Sequence, residues 1–169
     1  MLKTLGYKYI AVGQWWLRVT TKYQRYSVTA KTLDTLIRKQ IGKCNRMLFD
    51  EVYYYTTIDS FREMANKDEL NSWMEWKRDW YDCDNFAISF AAHMTEIWRL
   101  NCAGIAIGVT LDRKTKKVTG AHAYNIVLAD ANGKPTLYVY EPQTDKIVKA
   151  SKDTDMGHAI YRTVRIIWG

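Results

Sequence analysis

The stretch Trp80-Tyr-Asp-Cys-Asp-Asn-Phe-Ala-Ile-Ser-Phe-Ala-Ala-His-Met-Thr-Glu-Ile-Trp98 decides how the chain is read, because it sets a cysteine between two aspartates where a helix should begin. Phe86, Ala87, Phe90, Ala91, Met94, Ile97 and Trp98 recur at steps of three and four, which lays one apolar stripe along a helix. Asp82, Asp84 or Asn85 can accept hydrogen bonds from the unpaired amides of its first turn. Cys83 then stands at the helix N-terminus, where free N–H groups and the positive end of the macrodipole favour a thiolate over a thiol. The neighbouring aspartates oppose that shift, and cysteine is also an ordinary small core residue, so position alone does not make Cys83 reactive.

Outward from this helix, 169 residues suit one domain with a real core, and two independent domains would each be small. Seven Trp and twelve Tyr give unusual aromatic weight, which implies a large core or an adhesive surface. The longest uncharged run, Leu100 to Leu111, is too short to span a bilayer, and the start of the chain lacks a signal-peptide pattern, so no membrane partner and a cytoplasmic location are expected. Cys44, Cys83 and Cys102 form neither a disulfide framework nor a metal-spaced pair, which fits a reducing compartment and gives zinc no support. The net charge of +7 would attract an anionic partner, and residues 1–50 hold much of the excess (Lys3, Lys8, Arg18, Lys22, Arg25, Lys31, Arg38, Lys39, Lys43, Arg46). Such a face is more often a solvated surface than a nucleic-acid site, so nucleic acid is not the expected partner.

In chain order, Tyr7 to Val19 and Tyr23 to Ala30 read as short β or irregular segments, rich in β-branched and aromatic residues without a helical period. Thr32 to Ile41 gathers Leu33, Leu36, Ile37 and Ile41 on one helical face, with Gly42 as its stop. Glu51 to Thr57 is a strand and Ile58 to Ala65 a short helix capped by Thr57 or Asp59. Lys67 to Asp79 carries Trp73 and Trp76 and is a helix or structured loop, either core or one wall of a cleft. Cys102–Leu111, Gly120–Leu128 and Thr136–Glu141 then form an antiparallel meander, closed by a final strand over Ile160–Trp168 with Ile160, Arg162, Val164, Ile166 and Trp168 on one face.

Alternation puts His122, Tyr124 and Ile126 on one face of the second meander strand and Ala123, Asn125 and Val127 on the other. A hairpin centred between Asn132 and Lys134 pairs His122 with a position near 143 and leaves Glu141 one or two steps away. A carboxylate beside an imidazole is what a thiol site needs: one ring nitrogen faces the thiol, and the other donates to an acid that fixes its tautomer. Gln143 or Asn125 could take that orienting role instead, Asp84 is a further orienting or oxyanion candidate, and His93 and His158 are weaker candidates for the base. Cys102 opens an apolar strand and reads as core.

A helix bearing Cys at its N-terminus, packed on an antiparallel sheet bearing His and then an acid, is an α+β, papain-like arrangement. The blocks Asp-Cys-Asp-Asn-Phe-Ala, Gly-Ile-Ala-Ile-Gly, Gly-Ala-His-Ala-Tyr-Asn-Ile and Tyr-Glu-Pro-Gln-Thr together resemble the C-terminal domain of the Marasmius oreades fungal agglutinin family, over about Trp80 to Thr144. The resemblance implies a papain-like, calcium-dependent cysteine protease domain over residues 51–169, with residues 1–50 as a basic N-terminal part of the single domain 1–169. It makes Cys83 the nucleophile, His122 the base and Glu141 the orienter. Calcium would find oxygen donors at Asp82, Asp84 and Asn85, although helix capping explains the same residues. The N-terminal part shows no repeats of a β-trefoil sugar binder.

The functional expectation is therefore a thiol hydrolase (a thiol or cysteine protease) cleaving an amide or peptide bond in a protein or peptide substrate. Its alternatives are an NlpC/P60-type amidase, a transglutaminase-like acyltransferase, or a non-catalytic basic binding protein on the same fold.

Overall fold

The computed structural model describes residues 12–169. The cysteine-bearing helix, α5 (Cys83–Trp98), begins where its sequence dictates. Asp82 is the N-cap, and the Asn85 side chain reaches back to accept the Asp82 N–H at 3.2 Å, one half of a capping box. Tyr81, just before the cap, packs edge-on against Phe86 with ring centroids 4.8 Å apart, the hydrophobic staple that fixes the angle at which the chain enters the helix. Its hydroxyl also donates to Ser89 at 2.8 Å. Phe86, Ala87, Phe90, Met94, Ile97 and Trp98 form the buried stripe.

That stripe packs on β4 (Ala103–Leu111) and β5 (Val118–Asp130), which pair antiparallel from Ala103–Val127 to Leu111–Val118. β5 pairs antiparallel with β6 (Pro135–Glu141) in the register Asn125–Tyr140, Ile126–Val139, and β6 with β7 (Lys146–Lys149). The final strand β9 (Ile160–Trp168) lies against β4 and is joined by the short β8 (Thr154–Asp155). A register shift between Ile107 and Gly108 divides β9, so Tyr161, Thr163, Ile166 and Trp168 are buried while Arg162 and Val164 face solvent. The strict alternation expected for this strand is corrected by that shift.

The N-terminal half wraps around this meander. Residues 12–20 are helical (α1), which corrects the β or irregular reading there; residues 7–11 of that reading lie outside the described residues. Trp15 and Trp16 are exposed, so α1 presents no buried apolar stripe for a periodicity argument to find. β1 (Tyr26–Thr29), α2 (Ala30–Gln40), β2 (Asn45–Leu48), β3 (Val52–Thr57), α3 (Ile58–Asp68) and α4 (Leu70–Trp73) follow. Thr57 caps α3 by accepting from the Ser60 N–H at 3.2 Å. Phe61 of α3, Phe90 of α5 and Tyr140 of β6 meet at centroid distances of 4.3 to 5.8 Å, locking two helices onto the sheet. Each such buried aromatic contributes about 1.5–3 kcal/mol of transfer free energy.

β2 runs parallel to β9 and β3 runs parallel to the end of β5, giving the order β1-β3-β5-β4-β9-β2. The papain-like α+β fold expected from the sequence is corrected accordingly: the helix does lie on an antiparallel pair, but the sheet is curled and mixed. The parallel pairings join segments far apart in the chain, Asn45 with Arg165 for example, and no local pattern announces them.

Candidate functional site

Three elements bring together the three residues singled out above. α5 supplies Cys83 at its first helical position, β5 supplies His122 and the end of β6 supplies Glu141. His122 Nε2 meets Glu141 Oε2 at 2.6 Å, and the imidazole lies close enough to Cys83 for each group to shift the titration of the other. With Nε2 committed to the carboxylate, Nδ1 is the nitrogen left for sulfur. His122 lowers the Cys83 pKa, against burial and the nearby Asp82, and the Ala123 backbone N–H assists. Burial works against the charged imidazole, but Cys83 and Glu141 outweigh it and raise the His122 pKa to about 9. Both shifts favour a thiolate–imidazolium pair.

Glu141 is 3% exposed and its acceptors are well used. Oε2 also accepts the Tyr161 hydroxyl at 2.9 Å, and Oε1 accepts the Gln143 backbone N–H at 3.3 Å. Gln143 therefore contributes its main chain rather than its side chain. Asn125 points the other way, donating to the backbone carbonyls of Ala87 and Gly104. His93 pairs with Asp68 at 2.6 Å, away from the thiol, and that hydrogen bond raises its pKa. His158 reaches the Tyr161 hydroxyl at 3.2 Å. Burial pushes the Cys44 thiol up and the Cys102 thiol up to about 12, so both are held as inert core thiols.

Tyr161 and Tyr124 are the site residues that sequence reasoning missed. Tyr124 lies under His122 with ring centroids 5.9 Å apart and bonds Thr163 at 2.8 Å. Its place beside His122 follows from strand alternation, whereas Tyr161 arrives through the β4–β9 pairing and had no local signal.

Ligand atoms of Asp82, Cys83 and Asp84 lie within 4.8 Å of one another. The Asp82 and Asp84 carboxyls lie side by side, which lowers the pKa of Asp82 and raises that of Asp84, and Asn85 Oδ1 is spent on the Asp82 N–H. Calcium takes six to eight oxygen ligands. Two carboxylates and an occupied amide do not make that set, so the residues present do not fit a held calcium ion.

The fold and site define a mixed-sheet domain that carries a thiol–imidazole–carboxylate cluster. The chain belongs to the family described as the ricin-type beta-trefoil lectin C-terminal domain, which matches residues 24–161. Among solved structures it is similar to the "PSL1a-E64 complex", at 21% identity and a TM-score of 0.61 over 83% of this chain and 51% of that one. It is similar also to the Polyporus squamosus lectin bound to a human-type influenza-binding epitope, at 22% identity and a TM-score of 0.59 over 83% and 49%. The chain thus spans about half the length of these structures. No curated protein matches it.

These findings correct the functional expectation. Family and solved counterparts are of lectin type, in place of the papain-like thiol hydrolase, amidase or acyltransferase and its protein or peptide substrate. Among the described residues, no helix is long and apolar enough to cross a membrane.

Proposed function

We propose that this chain serves carbohydrate recognition as the C-terminal domain of a lectin-type protein and contributes a nucleophilic thiol centre to it. In this reading Cys83 is the nucleophile, His122 the base and Glu141 the carboxylate that orients the base. Family membership and the glycan-bound counterpart support the first part. The finer resemblance, to the C-terminal domain of the Marasmius oreades agglutinin, rests on the Asp82–Ala87, Gly120–Ile126 and Tyr140–Thr144 blocks that hold these same residues.

The observation that carries the second part is the 2.6 Å pair of His122 with the buried Glu141, set beside a thiol at a helix N-terminus. The proton of Cys83 passes to the free nitrogen of His122, which leaves a thiolate beside an imidazolium. The first-turn amides of α5, which lack intrahelical partners, favour the negative charge on that sulfur. No peptide or amide bond is assigned as the target.

Competitive labelling with iodoacetamide from pH 5 to 9 tests this. Cys83 should be alkylated well before Cys44 and Cys102, with a midpoint below the ordinary thiol range that moves up in His122→Ala. Faster labelling of either other cysteine, or a midpoint indifferent to His122, would remove the thiol centre.

A second reading rests on Trp73, Trp76 and Trp80, whose exposures of 64%, 52% and 71% put indole surface in solvent just ahead of Cys83, with the Lys77 ammonium 5.0 Å over the Trp80 ring. Indole faces stack on the apolar side of pyranose rings, and contiguous exposed aromatic surface marks binding sites. Tryptophan fluorescence titrated with a sialylated trisaccharide should then change saturably, and a flat titration would place sugar binding elsewhere.

A further inference from the structure

We infer that Tyr161, steered by His158, is a positioning residue of this site: its hydroxyl holds the Glu141 carboxylate in the orientation that meets His122 Nε2. The inference rests on the thiol-centre reading above. A carboxylate as buried as Glu141 must be supplied with donors, or it rotates, recruits water or loses its charge. The three donors that reach it are His122 Nε2 at 2.6 Å, Tyr161 Oη at 2.9 Å and the Gln143 backbone N–H at 3.3 Å. The backbone donor is the longest. Tyr161 shares Oε2 with His122, so it is the group that fixes the oxygen on which the imidazole depends.

The direction of each proton follows from the network. An ionised carboxylate only accepts, so the single phenolic proton of Tyr161 goes to Glu141, and the phenol oxygen is left to accept from His158 Nε2–H at 3.2 Å. His158 thereby gives the phenol oxygen a donor while its own proton points to Glu141. Tyr161 is 3% exposed, wedged edge-on to His122 at 5.0 Å and tilted against Tyr124 at 4.9 Å. Burial and the Glu141 charge push its pKa up, so it stays a donor throughout the working range. Its hydrogen bonds go to Glu141 and His158, which makes its action on Cys83 indirect. The charged and titratable groups around the thiol are His122 from β5, Asp82 and Asp84 from the start of α5, Glu141 from β6 and Tyr161 from β9.

Tyr161→Phe keeps the packed ring and deletes only the hydroxyl. The pH profile of Cys83 alkylation by iodoacetamide should shift its midpoint upward by roughly 0.5–1 unit, a threefold to tenfold loss of rate on the acidic limb, with the alkaline plateau unchanged. His158→Ala, in an exposed loop, should shift it less and in the same direction, and this variant decides the matter if Tyr161→Phe does not fold. In a Glu141→Gln background, Tyr161→Phe should add nothing. An unmoved midpoint, a uniform loss at every pH or a further shift in the Glu141→Gln background would each overturn the inference. Failure of the thiol centre itself is read separately, from wild type and His122→Ala alone.

Discussion

Asn125 on β5 donates its amide to the backbone carbonyl of Ala87, in the second turn of α5, at 2.9 Å. This bond, with a second to the Gly104 carbonyl at 3.3 Å, ties the start of the helix to the strand that carries His122. The thiol and the imidazole belong to different elements, and Asn125 is the polar clamp between them.

Removing that clamp as Asn125→Ala should cost about 1–3 kcal/mol, the range for a buried hydrogen-bonding side chain lost with its packing. It should also slow Cys83 alkylation, because the first turn of α5 can then drift from His122. Urea unfolding followed by tryptophan fluorescence measures the first effect. A variant as stable as wild type would show that the helix is held by its apolar stripe alone.

Gly104 and Gly108 of β4 have a steric reason each. A Cβ on Gly104 would lie 2.6 Å from the Trp168 indole, and one on Gly108 would collide with the Arg162 carbonyl and come within 2.9 Å of the Tyr124 hydroxyl. Alanine at either site should destabilise by about 1–3 kcal/mol. Gly108→Ala should be the worse, because its obstacle is backbone. Thermal melts of both variants check the order.

His122 should make stability depend on pH with a definite sign. Its folded pKa of about 9 exceeds the ordinary value of 6.5, so its contribution is full below pH 6.5 and is lost as pH rises through about 9. The lowered pKa of Cys83 acts oppositely, adding stability above the ordinary thiol range that disappears as pH falls through its folded value. In a Cys83→Ser background, where the opposing thiol contribution is absent, the gap in Tm between that variant and Cys83→Ser/His122→Ala should narrow from pH 6.5 to pH 9.5. A constant gap would mean that the imidazole gains no proton affinity on folding.

Because Asp82, Asp84 and Asn85 fall short of a calcium set, adding millimolar calcium after chelation should change neither the melting temperature nor the alkylation rate of Cys83. A calcium-dependent rise in either would restore the ion to the site.

Local patterns carried much of this architecture. The apolar stripe from Phe86 to Trp98 located α5, the turn at Asn132 to Lys134 set the Ile126–Val139 register, and that register brought Glu141 to His122. What escaped is non-local. β2 pairs with a strand about 120 residues away, α1 exposes its tryptophans, and Tyr161 reaches Glu141 only because β9 packs on β4 across a register shift. Function was least legible. A cysteine, a histidine and an acid in order suggested a hydrolase, whereas the family that matches residues 24–161 is of lectin type.

β9 also sets an order of events during synthesis. Cys83, His122 and Glu141 all leave the ribosome before Tyr161, and β4 cannot gain its second neighbour until Ile160–Trp168 has emerged. A nascent chain thus holds Cys83, His122 and Glu141 while the hydroxyl that bonds Glu141 is still untranslated. On the Tyr161 proposal, the thiol reaches its full acidic-side reactivity only after this last strand has joined the sheet.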